Sequence, residues 1–350
     1  MSHLIAMSSS VGVYAALALT VSSAWLVLQV RNQMVLNEVR YTVPEKGVIL
    51  ITGASTGIGQ HAAFHLAILH SNCIILAGVR KEKDAEDIRN SGFRNLRPII
   101  IDVAIEESCR RAVSEIHSIC NEENLLFIGL INNAGVARRY PTELHDISDA
   151  KNMFATNFWG AFYLTQLLLP KLRESKGRII NISSISEFVG NPLHSIYVAS
   201  KYAMGGFSDS LRREVAHFGV SVSVIQPAYV KSAIFATAQD ADKLDTKAVV
   251  APVAVADQTT PVMTTAESVL HTHYAHFFSE KEIKRLDTEI RNDASDPIVV
   301  SEAIDHALFA AYPKTRYAVG RVAGLSASMC AWIRWALSDR AADRLITPTP

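Results

Sequence analysis

The sequence predicts an α/β fold, a doubly wound parallel sheet with helices on both faces, and three observations carry that prediction. Short apolar runs rich in Ile, Val and Leu recur along the chain without period-two alternation, as strands buried on both faces of a parallel sheet require. Between them lie amphipathic segments long enough for right-handed crossover helices. The first run leads directly into a glycine-rich turn followed by a helical stretch, the order found at nucleotide-binding edges of such sheets.

The predicted strands are Val48–Thr52, Cys73–Val79, Arg97–Val103, Phe127–Asn132, Arg178–Ser183 and Val220–Gln226. Glu106–Ile119 and Lys151–Leu172 are the clearest crossover helices. Residues 233–297 depart from the alternation: they hold Pro252, Pro261 and the charged, helix-like stretch Glu280–Arg291, and read as an insertion over the active edge of the sheet. The organisation expected is a hydrophobic anchor at 1–30, a linker at 31–46, one catalytic domain at 47–325 and a tail at 326–350. In that tail Trp332 and Trp335 flank Arg334 as in an amphipathic surface helix.

A chain of 350 residues, 49% apolar and 19% charged, can bury a sizeable core, which excludes disorder as the default. Its 34 Lys and Arg balance 34 Asp and Glu, and this neutrality argues against a nucleic-acid partner. The charges are unevenly placed, because residues 1–30 contain none. As a helix, Val11–Val30 would rise about 30 Å, one hydrocarbon thickness. Trp25 and Arg31 resemble an interfacial anchor and a cytoplasmic flank, so the expectation is a bilayer-anchored protein whose catalytic domain faces the cytosol. A signal or organelle-targeting segment and a buried helix are the alternatives. The four cysteines, Cys73, Cys109, Cys120 and Cys330, form no C-x-x-C pair and read as packing residues.

The glycine-rich turn runs Thr52-Gly53-Ala54-Ser55-Thr56-Gly57-Ile58-Gly59. Glycines suit it because a side chain would keep the backbone from a pyrophosphate, while the helix that follows supplies free N–H groups and a positive dipole end. The spacing is G-x-x-x-G-x-G, so Gly53, Ser55, Gly57, Ile58 and Gly59 match the dinucleotide fingerprint in mechanism and not in letter. The second strand ends in Arg80 and Lys81 without an acid at its tip, which favours NADP(H) over NAD(H); Glu82 and Asp84 nearby keep NAD open.

Four further features stand at defined spacings: Asn132-Asn133-Ala134-Gly135 after the fourth strand, Asn157, Ser184, and Tyr197-Val198-Ala199-Ser200-Lys201. Tyr197 and Lys201, at i and i+4, share one helix face, so an ammonium can approach a phenol and favour its ionised form. Together with the glycine turn, these residues resemble the short-chain dehydrogenase/reductase family and its Rossmann fold, over residues 47–325. The resemblance implies that Tyr197 is the general acid/base, that Lys201 lowers its pKa and binds the nicotinamide ribose, that Ser184 holds the substrate oxygen and that Asn157 supports a relay water. It also implies cofactor contacts at Asp102, Val103, Asn133, Ala134, Gly135 and, beside their catalytic roles, Tyr197 and Lys201. The segment Pro227-Ala228-Tyr229-Val230-Lys231-Ser232 is similar to a P-G-x-V-x-T element, with Pro227, Val230 and Ser232 as contacts and with Ala and Ser in place of Gly and Thr.

The layout resembles the membrane-associated retinol and hydroxysteroid branch, including Tyr312-Pro313-Lys314-Thr315-Arg316-Tyr317, which is similar to that branch's P-x-x-R-Y run. The resulting expectation is an NADP(H)-dependent oxidoreductase interconverting an alcohol and its carbonyl on a lipophilic, retinoid-, steroid- or acyl-like substrate. It would be anchored at a membrane, with the endoplasmic reticulum as the leading location and a homodimer left open. An NAD-dependent dehydrogenase of a small hydroxy acid and a non-catalytic nucleotide-binding scaffold are the alternatives. His271, His273 and His276 lie close in sequence without an accompanying metal-ligand signature and are not taken as a metal site. The sequon Asn181-Ile182-Ser183 is discounted because it falls in a buried strand.

Overall fold

The computed structural model describes residues 23, 40–43, 45–231, 273–338 and 341. Two compact units partition the chain, Met1–Arg40 and Tyr41–Pro350, and the elements below belong to the second. The expected anchor, Ser232 and residues 233–272 of the expected insertion fall outside the described residues, apart from Ser23 in the anchor. No helix among the described residues is long and apolar enough to cross a membrane.

Seven parallel strands form the central sheet: β1 (Gly47–Thr52), β2 (Cys73–Val79), β3 (Leu96–Ile100), β4 (Phe127–Asn132), β5 (Arg178–Ile182), β6 (Ser221–Pro227) and β7 (Arg316–Val319), in the order 3-2-1-4-5-6-7. The strand order reverses at β1, so the carboxyl ends of β1 and β4 open a crevice between their following loops, the place where open α/β sheets bind ligands. β1, β2, β4, β5 and β6 are buried along their whole length, which explains their unbroken apolar runs. β7 is the final strand expected at the Tyr312–Tyr317 run; it starts inside that run, and as a four-residue edge strand with one buried position it carries little hydrophobic signal of its own.

The helices are α1 (Gly57–Leu69), α2 (Glu82–Arg89), α3 (Glu106–Glu122), α4 (Ile147–Phe154), α5 (Gly160–Ser175), α6 (Ser195–Val215), α7 (Glu280–Asp293), α8 (Ile298–Phe309) and α9 (Ala327–Ala336). α1 and α8 pack with the core on one side of the sheet; α3, α5 and α6 close the other. The predicted helix over 151–172 is interrupted, because Ala155–Trp159 forms a π-helical segment between α4 and α5. Its wider turn places Asn157 inward and buried, the kind of local defect that functional residues often occupy. Cys73, Cys109 and Cys120 are buried free thiols, in keeping with a packing role. Asn181 is fully buried and donates to Ser208 Oγ at 2.8 Å while accepting from Asn132 Nδ2 at 2.8 Å, so the sequon lies inside the sheet.

Candidate active site

A cleft of about 620 Å³ opens at the carboxyl ends of the strands and is lined at one end by the glycine turn and at the other by Tyr197, Ser184 and α7. Gly53 and Gly57 adopt left-handed backbone, φ 67° and 60°, which L side chains rarely tolerate. A Cβ on Gly53 would stand 2.8 Å from Ala134 Cα, and one on Gly59 would collide with the Gly53 carbonyl and the Asn133 amide. These two glycines thus let β1, α1 and the loop after β4 close on one another, a role inside the protein that adds to the ligand-approach argument. Thr56 precedes α1 without a side-chain cap, the first turn of the helix holds no acid, and Gly57, Ile58 and Gly59 line the cleft, so the helix start there favours an anion.

Thr52 and Asn133 brace this turn. Thr52 Oγ1 accepts from the backbone N–H groups of Asn133 and Ala134, both at 3.0 Å, and donates to Ile131 O at 3.4 Å. Asn133 Nδ2 donates to Thr52 O at 2.8 Å and to Gly53 O at 3.1 Å. Asn133 therefore welds β4 to β1, and Thr52, which the sequence reading did not count as a site residue, is its partner. Arg80 is exposed at the tip of β2 and lines the cleft with Asp102 and Val103. Asp102 spends one carboxylate oxygen on the Ala104 N–H at 3.0 Å, shaping its own turn.

Asn157, Ser184, Tyr197 and Lys201 come together. Lys201 is buried, its Nζ lies 5.6 Å from the Tyr197 ring centroid, and it donates to Ile182 O at 3.0 Å. Asn157 Oδ1 accepts from Val136 N at 2.8 Å, and its Nδ2 donates to Val136 O at 2.9 Å and Ser200 Oγ at 3.0 Å. That clamp fixes the loop after Gly135 against the π-helical segment. Ser184 accepts from the Ser186 N–H at 3.1 Å and lines the cleft together with Tyr197.

The electrostatics are dominated by burial. It pushes the Tyr197 phenol above its ordinary value, with the Ser184 hydrogen bond pulling the other way. It also brings Lys201 down to about 8, opposed by the Glu187 carboxylate. Lys201 is therefore close to titrating at neutral pH, and anything that stabilises its ammonium bears directly on the tyrosine.

The P-A-Y-V segment closes the floor. Ala228 N donates to Val319 O at 2.8 Å without positive φ, so alanine is accommodated where a glycine was expected. Val230 is buried and bridges Ser295, while Pro227 ends β6 at the cleft. Leu286 and Ile290 of α7, one turn apart, supply an apolar wall that the sequence reading did not single out. His194, one turn before Val198, also lines the cleft, and burial holds its imidazole below the usual range.

The profile of the short chain dehydrogenase family matches residues 47–243. Retinol dehydrogenase 16 of Mus musculus is 30% identical over 277 residues, 78% of this chain and 80% of that protein. The mitochondrial D-beta-hydroxybutyrate dehydrogenase of Mus musculus is 32% identical over 274 residues, 77% of this chain and 75% of that protein. An uncharacterised oxidoreductase of Escherichia coli K12, YbbO, is 37% identical over 185 residues, 53% of this chain and 66% of its own length, slightly under two thirds. Among solved structures, a short-chain dehydrogenase from Streptomyces avermitilis superposes with a TM-score of 0.61 at 22% identity, covering 86% of this chain and 95% of that one, a likeness of fold. With the matched profile spanning more than half of the sequence, the chain belongs to the short-chain dehydrogenase family.

Proposed function

We propose that this protein is an NADP(H)-dependent oxidoreductase that interconverts an alcohol and its carbonyl on a lipophilic substrate. The observation that carries the reading is the convergence of Ser184, Tyr197 and Lys201 on the cleft whose other end is the glycine turn, with Asn157 buried behind them and bonded to Val136 and Ser200. When bound, the nicotinamide would accept or supply the hydride. Tyr197 would give a proton to the carbonyl oxygen, or take one from the alcohol, at its phenolic oxygen. Ser184 would hold the same substrate oxygen, since it and Tyr197 line the same end of the cleft. Lys201 would favour the phenolate by its charge, and Asn157 would keep the Val136 loop in place beside it.

Three features support the finer terms. Arg80 is the first charge beyond β2, and Gly78 before it has no room for a carboxylate side chain, since a Cβ there would stand 2.9 Å from Ile101 Cγ2; this supports NADP(H). Leu286 and Ile290, with a retinol dehydrogenase and a human 17-beta-hydroxysteroid dehydrogenase among the relatives, support a lipophilic substrate. The uncharged run at 1–30 supports a membrane anchor, with the catalytic domain toward the cytosol and the endoplasmic reticulum as location. A hydroxy-acid substrate is the second reading, favoured by the hydroxybutyrate dehydrogenase relative.

The deciding experiment follows nicotinamide oxidation and reduction over retinoids, steroids, acyl ketones and short hydroxy acids, with NADPH and NADH titrated separately by fluorescence. Turnover of a lipophilic member with NADPH binding the tighter is the expected result. Turnover confined to hydroxy acids, or tighter NADH binding, overturns the corresponding term.

A further inference from the structure

Glu187 ends the short 3-10 turn Ile185–Glu187 that follows Ser184, and it is 8% exposed. A buried carboxylate there demands a reason, because removing its charge from water is costly unless the charge is paired. One oxygen has a partner: Arg316 of β7 donates to Oε1 from Nε at 3.2 Å, and its Nη2 is also 3.2 Å away. The other, Oε2, is buried and meets no hydrogen-bond donor.

The place of that carboxylate is set by α6. A Cβ on Gly205 would come within 2.7 Å of Glu187 Cγ and 2.5 Å of Cδ, and closer still to Oε1, so the acid fills the space a side chain at 205 would take. Gly205 is one turn beyond Lys201, on the same face of the helix. Asp209, one turn further, grips Arg316 with both oxygens, at 2.9 and 2.8 Å, and takes a third bond, from Arg212, at 2.6 Å. Three successive turns of α6 thus present the lysine, the gap for Glu187 and the anchor for the arginine that holds Glu187.

We propose that Glu187 is a positioning residue, a carboxylate that Arg316 and Asp209 clamp into the Gly205 gap so that its negative charge sustains the Lys201 ammonium behind Tyr197. The inference rests on the catalytic reading of Tyr197 and Lys201 given above. It adds to that reading a counter-charge supplied from the turn after Ser184. Its unpaired Oε2 fits a group placed for field rather than for a contact of its own. The charged and titratable groups around the pair are Tyr197 and Asp209 on α6, Glu187 on the turn and Arg316 on β7, and the Glu187 charge acts on Lys201 in the favourable direction.

The test titrates Lys201 directly in the full chain, by NMR of Cε-labelled lysine with the resonance assigned through Lys201→Met. Glu187→Gln, which preserves shape and removes charge, should lower the Lys201 midpoint by about one pH unit or more. Arg316→Gln, which removes the clamp and leaves the carboxylate, should lower it too, by less than Glu187→Gln, and should add nothing in the double variant. A fall in both single variants supports the proposal, whereas an unmoved midpoint in Glu187→Gln, or a rise in Arg316→Gln, overturns it. The readout needs no substrate, so failure to find turnover would count against the enzymatic reading and leave the Glu187 result standing. Where a substrate is turned over, the kcat profile of Glu187→Gln should lose activity at the alkaline side first, with cofactor KM held, because a neutral Lys201 no longer supports the phenolate.

Discussion

The two ends of the cleft are built by opposite means. At the cofactor end the backbone packs closely: Gly53 and Gly59 leave no room for a Cβ, and the Thr52 and Asn133 side chains stitch β1 to the loop after β4 through hydrogen bonds to main-chain groups. At the substrate end the walls are side chains from separated segments, Leu286 and Ile290 of α7 and His194 before Tyr197. The 275–278 turn is held there by Arg139, which donates to Phe277 O at 3.0 Å and lies over the Phe278 ring. A site made from backbone tolerates little change, whereas one made from long side chains can be re-cut one residue at a time.

The sharpest break in this comparison lies between its halves, at Tyr197. Tyr197→Phe should lower kcat by about 10²–10⁴-fold while nicotinamide affinity, measured by fluorescence, stays within about twofold. A comparable loss of cofactor binding would mean that the tyrosine belongs to the rigid half.

Gly59→Ala probes that half itself. The added methyl would meet the Gly53 carbonyl and the Asn133 amide, so urea unfolding should show a loss of about 1–3 kcal/mol, together with weaker cofactor binding. Leu286→Ala should behave in the other way. KM for a lipophilic substrate should rise by about 5–10-fold with cofactor affinity unchanged, since one shortened apolar contact is at stake. Equal sensitivity of cofactor and substrate to both substitutions would erase the distinction between the halves.

The smallest effect is expected behind the site. Arg316 and Arg212 hold the Asp209 carboxyl down to about 2, against an ordinary value of 3.8. A depressed carboxylate contributes stability that is complete above its unfolded value and is lost as pH falls through the folded one. The urea midpoint should therefore drop between pH 5 and pH 2 more in the native chain than in Asp209→Asn, in which that share of the slope is absent.

Much of this was legible in the sequence, and what was legible was local. Buried strands announce themselves by unbroken apolar runs, and Tyr197 and Lys201 share a face because a helix returns every 3.6 residues. Asn157 was found by its spacing, yet the π-helical segment that turns it inward has no periodic signature of its own. Thr52 was seen as part of a turn, whereas its bonds to Asn133 and Ala134 join residues 81 and 82 positions apart. The Tyr312–Tyr317 run marks a family branch in the sequence without showing a contact. Its Arg316, at the start of β7, reaches Glu187, 129 positions away.

By itself the sequence determined the layered α/β architecture, the glycine turn and the set Asn157, Ser184, Tyr197 and Lys201. Each of these depends on residue type and short-range spacing. Only the tertiary structure decided the charge state those residues work in. A pKa is set by burial and by how near other charges stand, and nothing in the order of residues brings Glu187 over Gly205 or Arg316 onto Glu187 until the sheet has closed.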